Sequence, residues 1–213
     1  MRVHVQRQQG KCLIDLAFQG DEHGIVALFG PSGAGKTSII HMVAGLRKPD
    51  SGSIVIRGRC LFDAVRGVNL PPEKRKVGCV FQEDLLFPHL SVKGNLLYGR
   101  RSKPSGADGI HVEQTINLLG IGHLLSRKPK TLSGGEKQRV AFGRAILSNP
   151  DILLMDEPLA SLDETRKEEM LPFIKKLNTR LGIPILYVSH SLEEILALTK
   201  HVVRLANGKI VPT

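Results

Sequence analysis

A glycine-rich segment, residues 30–37, lies between a short apolar run and a helical pattern. It has the spacing G-x-x-x-x-G-K-T, and its members are Gly30, Pro31, Ser32, Gly33, Ala34, Gly35, Lys36 and Thr37. Glycines let successive backbone N–H groups point toward one anion, and the following helix adds the positive end of its dipole. In such a segment Lys36 reaches the β- and γ-phosphates, and the Thr37 hydroxyl can ligate Mg²⁺. Ser38 follows within reach of the α-phosphate. The segment predicts a site for a nucleoside triphosphate with Mg²⁺.

Two carboxylates follow a second apolar run, residues 152–155. A strand of this kind brings Asp156 to the edge of a parallel sheet where ligands bind. There Asp156 can hold Mg²⁺ through water. Glu157, one residue later, can polarise a water molecule for attack on the γ-phosphate.

A third segment, L-S-G-G-E-K-Q-R at residues 132–139, places a serine and two glycines before a helical pattern. Ser133, Gly134 and Gly135 there offer a hydroxyl and backbone N–H groups at a helix start. This arrangement predicts a second anion-binding site.

The order of these three segments resembles the ATP-binding subunits of ABC transporters over essentially the whole chain. The resemblance implies that Gln82 contacts Mg²⁺ and the attacking water, and that His190 contacts the γ-phosphate. It also implies that the loop at residues 160–163 crosses a dimer interface. In this family Ser133, Gly134 and Gly135 complete the nucleotide site of a second copy, so an ATP-dependent homodimer is expected.

The segment at residues 67–82 is similar to the importer class of these ATPases. Residues 86–89, 94–99, 171–173 and 186–192 are most similar to the ATPases of molybdate importers. This resemblance implies ATP hydrolysis that drives the import of molybdate or tungstate through separate membrane subunits, which would dock near residues 83–99. It implies an indirect partner, an oxyanion-binding protein outside the membrane, and a location at the cytoplasmic face of the cell membrane.

Two alternatives stay open. One is an importer ATPase for sulfate, iron, a polyamine or a sugar. The other is an ABC-type ATPase that acts on nucleic acid, with which the net charge of +10 is compatible. Such proteins usually have coiled-coil insertions or tandem ATPase domains, and neither is present here, so no nucleic-acid partner is expected.

The contact to adenine departs from the family pattern, which places an aromatic residue 20–25 positions before the phosphate loop. Arg7 stands 23 positions before Gly30. A guanidinium can stack on a base, so Arg7 is a possible substitute.

Strand patterns that alternate with helical patterns predict an α/β fold with a mostly parallel sheet. Weak alternation over the first 19 residues predicts an N-terminal antiparallel hairpin. The segment after residue 90 is mostly helical in pattern. We therefore expect one ATPase domain, with a core at 1–82 and 149–213 and an inserted helical lobe at about 83–148. Molybdate importer ATPases commonly carry a C-terminal regulatory domain, and none is expected within these 213 residues.

Overall fold

The structure, a computed structural model, describes residues 1–10, 12–83, 85–100, 112–160 and 162–212. Its strands are β1 (Arg2–Gln9), β2 (Cys12–Gln19), β3 (Ile25–Phe29), β4 (Ser51–Ile56), β5 (Arg59–Asp63), β6 (Val68–Asn69), β7 (Val77–Val80), β8 (Ile152–Asp156), β9 (Ile185–Ser189), β10 (Val202–Ala206) and β11 (Lys209–Val211). Its α-helices are α1 (Lys36–Ala44), α2 (Val92–Leu97), α3 (Val112–Leu119), α4 (Gly134–Leu147), α5 (Glu164–Leu181) and α6 (Leu192–Leu198). Short 3-10 helices cover Pro72–Lys74, Gly122–Leu124 and Pro129–Thr131.

The strands form one mixed sheet in the order β6-β5-β4-β1-β2-β11-β10-β3-β9-β8-β7. Strands β3, β9, β8 and β7 are parallel neighbours. In this register Phe29 lies opposite Ser189, and Val188 lies opposite Asp156. The carboxyl ends of these strands therefore meet at one edge of the sheet, the edge to which the predicted site residues belong.

Alternate residues of the central strands face two apolar cores, one on each side of the sheet. Leu153 and Met155 of β8 face the core that contains residues of α4, α5 and α6. Ile152 and Leu154 face the core that contains residues of α1 and the N-terminal strands. Because both faces are covered, β8 is buried at every position and reads as a continuous apolar run.

The predicted α/β fold is confirmed, including the antiparallel pairing of β1 with β2. The sequence pattern predicts a helix over residues 36–46, and α1 ends two residues earlier because Gly45 takes a left-handed conformation (φ +83°) as its C-cap. Strands β5 and β6 were not predicted; they extend the antiparallel edge beyond β4. The sequence P-S-G at residues 104–106 predicts an interruption of the helical lobe, and it lies outside the described residues.

Helices α2, α3 and α4 lie in the chain between β7 and β8. Within the described residues, none of the helices combines the length and the apolar character needed to span a bilayer.

Candidate active site

The loop between β3 and α1 is shaped by its glycines. A side chain at Gly30 would meet the carbonyl oxygen of Leu205 on β10 at 2.2 Å from its Cβ, so no larger residue fits there. Gly33 and Gly35 have φ values of +81° and +98°, in the region that L side chains rarely adopt. These conformations bring the loop back over the first turn of α1, whose backbone N–H groups then face the loop.

The ammonium group of Lys36 lies inside this loop. Its side chain is buried, and its Nζ donates to the carbonyl oxygens of Gly30 at 2.7 Å and Pro31 at 3.0 Å. A cation held by two neutral carbonyls has no countercharge within the loop. The ammonium group is therefore positioned to donate hydrogen bonds to phosphate oxygens in place of these two carbonyls.

Thr37 and Asp156 bring together two oxygen ligands of the kind that Mg²⁺ prefers. The Thr37 hydroxyl donates to Asp156 Oδ1 at 3.2 Å. Burial is the main cause that raises the pKa of the Asp156 carboxyl, and the negative charge of Glu157 raises this pKa further. The hydrogen bond from Thr37 lowers it in part. A cation beside Asp156 would compensate for this buried charge. Mg²⁺ usually takes one or two protein oxygens and completes its shell with water and phosphates, so these residues fit it. Among the described residues no larger group of His, Cys, Asp or Glu is arranged for a metal.

Glu157 and His190 form a hydrogen-bonded pair next to Asp156. Nδ1 of His190 lies 2.9 Å from Oε2 of Glu157. Because a carboxylate only accepts, the proton of this bond belongs to Nδ1. The backbone of Glu157 has a φ of +46°, a conformation that costs a non-glycine residue about 1–2 kcal/mol. Its N–H donates to Val188 on β9 at 2.9 Å, which helps to hold the turn.

Gln82 reaches the same sheet edge without entering the cavity at the loop. It follows β7, whose last residue, Val80, pairs with Met155 near the end of β8, so Gln82 and Glu157 both come just after neighbouring strands. Its side chain is exposed, and within the described residues no hydrogen bond is recorded for it.

Ser133, Gly134 and Gly135 lie apart from the loop, at the start of α4. The Ser133 hydroxyl accepts a hydrogen bond from the backbone of Glu136 at 3.3 Å, and the Glu136 carboxylate accepts one from the backbone of Ser133 at 2.7 Å. The hydrogen bond from the Ser133 backbone N–H is the main cause that lowers the pKa of the Glu136 carboxyl. The serine hydroxyl thus serves as a helix cap, and the N–H groups of Gly134 and Gly135 remain for an anion.

A cavity of about 320 Å³ lies between the phosphate loop and the turn of the β1–β2 hairpin. Its lining residues are Gln9, Cys12, Ile14, Ser32, Gly33, Gly35, Lys36, Thr37, Ser38 and Glu157. No aromatic side chain is among them. A separate cavity of about 250 Å³ includes Ser133 and Gly135 in its lining, so the two predicted anion sites do not meet within one chain.

Arg7, the possible adenine contact in the sequence, does not lie at the first cavity. Arg7 donates to the carbonyl of Lys48 and pairs with Asp50 at 3.9 Å, and it does not line the cavity. Gln9 lines it instead, because the hairpin turn approaches the loop. Its Oε1 accepts from Ser38 at 2.8 Å. The predicted N-terminal hairpin has its turn next to Gln9. That turn would have indicated the cavity residue better than counting 23 positions back from Gly30 did.

Comparison with known proteins places these features in a family. The model of the ABC transporter family matches residues 13–160. A Rhodospirillum rubrum relative named "Molybdenum import ATP-binding protein ModC" is 55% identical over 208 residues, which is 98% of this chain and 56% of the relative. A relative of the same name from Paramagnetospirillum magneticum is 53% identical over 98% of this chain and 57% of its own length. The chain thus spans little more than half the length of these relatives.

One solved structure supports the comparison of folds. It is a dimeric ATP-binding cassette in a post-hydrolysis state, bound to ADP and Pi. It is 27% identical to this chain, with a TM-score of 0.76, and the match covers 99% of this chain and 94% of that one.

Proposed function

Because the chain belongs to the ABC transporter family, we propose that it is the ATP-hydrolysing subunit of a molybdate importer. The observation that carries the ATPase part is the convergence of Lys36, Thr37 with Asp156, and Glu157 with His190 at one sheet edge. The identity of 53–55% to two proteins named for molybdenum import supports the choice of solute.

We propose that ATP enters the cavity with its phosphates against the loop at residues 30–37. Lys36 then exchanges the two carbonyls that it now contacts for β- and γ-phosphate oxygens, and Ser38 turns its hydroxyl toward the α-phosphate. Thr37 and Asp156 would hold Mg²⁺, with Gln82 contributing once it moves inward. When bound, Mg²⁺ neutralises the charge on the phosphates.

Glu157 is the proposed general base. It accepts a proton from a water molecule while the water oxygen forms a bond to the γ-phosphorus. The bond from that phosphorus to the β–γ bridging oxygen breaks, which leaves ADP and phosphate. His190 orients Glu157 through its Nδ1–H, and in the form protonated at both nitrogens it would donate its Nε2–H to the γ-phosphate.

A second copy of the chain completes the site in this proposal. Ser133, Gly134 and Gly135 of one copy would face the γ-phosphate held by the loop of the other. The separation of the two cavities within one chain favours this arrangement. A two-fold dimer would then contain two equivalent sites.

We further propose that residues 1–213 form one ATPase domain, with its core at 1–82 and 149–213 and a helical lobe at about 83–148. The insertion of α2–α4 between two neighbouring strands, β7 and β8, supports this division. The domain would lie at the cytoplasmic face of the membrane, docked on its membrane subunits, and an oxyanion-binding protein outside the membrane would deliver the solute.

The test is ATP hydrolysis by the chain assembled with its membrane subunits in lipid vesicles, with the oxyanion-binding protein added on the side opposite the chain. We expect turnover and uptake to depend on molybdate and to be lost in Lys36→Ala, which lacks the only ammonium group in the loop. Equal stimulation by sulfate would reject molybdate as the preferred solute. Normal ATP binding and turnover in Lys36→Ala would reject the site itself.

A further inference from the structure

Glu194 is a buried acidic residue that the proposed reaction does not use. It lies in α6, four residues after His190, and its exposure is 6%. Its Oε2 accepts hydrogen bonds from the hydroxyls of Tyr187 at 3.0 Å and Ser189 at 2.9 Å. Its Oε1 lies 3.4 Å from Nζ of Lys167. Burial and then the charge of Glu194 raise the pKa of Tyr187, so the phenol remains a donor.

These bonds surround the backbone of His190 on both sides. Ser189 donates to the Glu194 carboxylate, and Ser191 accepts from the Glu194 backbone N–H at 3.3 Å. Ser189 also accepts from the N–H of Ser191 at 3.0 Å, which closes the ring of contacts. Both neighbours of His190 are therefore bound to one residue.

The side chain of His190 needs such support because little packs against it. Its side-chain exposure is 61%, and the bond to Glu157 is the polar contact recorded for its ring. The direction of the imidazole is thus set largely by the direction of its backbone. The backbone direction depends in turn on the contacts of Ser189 and Ser191.

We infer that Glu194 is a positioning residue. Its carboxylate fixes the Ser189 hydroxyl, which accepts from the Ser191 N–H across His190, and this linkage orients His190 toward Glu157. This inference rests on the proposed hydrolysis of ATP at Glu157. An apolar side chain of similar volume would often stabilise the fold as well as the buried Glu194 carboxylate does, since desolvating a carboxylate is costly. Unlike an apolar group, the carboxylate fixes the positions of its three donors, which are the side chains of Tyr187, Ser189 and Lys167.

Lys167 extends this arrangement toward the proposed dimer interface. It lies in the first turns of α5, where it also pairs with Glu164 at 3.5 Å. A small cavity of about 50 Å³ lies between the Glu157–His190 pair and the Lys167–Glu194 pair. Its lining residues are Glu157, Ala160, Lys167, Ser189, His190 and Glu194.

The first test compares two neighbouring substitutions in the full chain. Glu194→Gln removes the charge and one acceptor, and we expect kcat for MgATP to fall about tenfold or more while KM stays unchanged, since a small misplacement of a catalytic group has this effect. Glu193→Gln is the matched control, because Glu193 is exposed on the same turn, and it should keep the parental kcat. Tyr187→Phe and Ser189→Ala each remove one donor and should give smaller losses of kcat.

The second test observes His190 directly by NMR of the histidine ring nitrogens. The His190 signals are assigned by their absence in His190→Gln. In Glu194→Gln they should move toward the positions that they take in Glu157→Gln, where the charged acceptor is gone. The signals of the other histidines should stay where they are, which a general loosening of the fold would not allow.

Parental kcat in Glu194→Gln, beside an inactive Glu157→Gln, would overturn this inference and leave the proposed function intact. A lower kcat with unmoved His190 signals would also overturn it. Parental turnover in Glu157→Gln would remove the proposed base and the inference together. If Glu194→Gln does not fold, the same kcat and NMR criteria apply to Tyr187→Phe and Ser189→Ala.

Discussion

The two anion-binding segments of this chain, residues 30–37 and 133–135, differ in what surrounds them. The first lies at the edge where the parallel strands β10, β3, β9, β8 and β7 end, and its Lys36 is already bonded to loop carbonyls. The second lies at the start of α4, where its hydrogen bonds within the described residues are those of the capping box and the helix. One segment is held by tertiary contacts from several strands, whereas the other is a local structure at a helix start. Substitutions in the two regions should therefore have different consequences.

The largest effect is expected from Glu157→Gln. The amide keeps the size of the side chain but cannot take a proton from water, so hydrolysis should fall by about 10² or more, the range for loss of a general base. ATP binding should persist, because Lys36 and the loop are unchanged. Single-turnover hydrolysis and nucleotide titration check the two halves of this prediction. The variant should also accumulate as a dimer in ATP and not in ADP, which sizing chromatography measures.

Gly135→Asp tests the surface segment alone. A Cβ at this position would lie 3.6 Å from the nearest atom, Cδ of Arg166, so the fold has room for the change. The new carboxylate should repel the γ-phosphate of the opposing copy. We expect hydrolysis to fall by about tenfold or more, as when a group that faces the transition state is lost, while one chain still binds ATP normally.

The control for this variant is Gly122→Asp, an exposed glycine of the same region whose Cβ would also have room, with its nearest contact at 3.6 Å. It adds the same charge at a residue that does not itself line the cavity with Ser133 and Gly135, and it should leave turnover unchanged. If Gly135→Asp hydrolysed ATP like the parent, the second segment would have no part in the reaction.

Exchange of ATP for GTP at the first segment should have a smaller effect on hydrolysis. The described lining of its cavity has Gln9 and Cys12 and no aromatic residue. This lining offers no aromatic face for stacking, and the Gln9 amide can donate to or accept from either purine, so the kcat/KM values for ATP and GTP should differ by less than about tenfold. Parallel assays of the two nucleotides decide the matter. A preference for ATP of about a hundredfold, or 2.7 kcal/mol, would reveal an adenine contact that this cavity does not contain.

The smallest effect concerns stability. Burial raises the pKa of the Asp156 carboxyl above its unfolded value, so the nucleotide-free fold loses stability as pH rises through the folded pKa. Asp156→Asn removes that charge and should raise the midpoint of thermal unfolding at neutral pH by a few degrees, the change that about 1 kcal/mol gives in a chain of this length. Below the unfolded pKa of 3.8 the advantage should disappear.

Addition of MgATP should reverse this order. It should stabilise the parent more than Asp156→Asn, because the variant lacks the carboxylate proposed to hold Mg²⁺. Melting curves at several pH values, with and without MgATP, test the prediction. An asparagine variant that melts below the parent at neutral pH without nucleotide, or above it in MgATP, would contradict the prediction.

Local patterns in the sequence were sufficient for much of this molecule. The run at residues 152–155 predicted a buried strand because both faces of a parallel sheet are covered, and β8 is buried throughout. The segment G-x-x-x-x-G-K-T predicted the loop and the place of Lys36, since these properties depend on glycine conformations and helix start signals within a few residues. Strand β5 was missed because its sequence, RCLFD, has no alternation of apolar and polar residues, and β6 was missed because it is an edge strand of only two residues.

Only the tertiary structure decided which side chains meet across the sheet. The register of β8 against β9 brings Glu157 to His190, 33 residues away, and no spacing rule contains that contact. The hairpin turn places Gln9 rather than Arg7 at the cavity because the approach of two segments depends on packing, not on a count of positions. The ion pair of Glu194 with Lys167, 27 residues away, arises in the same way, from the packing of α5 beside α6. Local conformation is encoded within a few residues, whereas the contacts that build this site depend on the sheet as a whole.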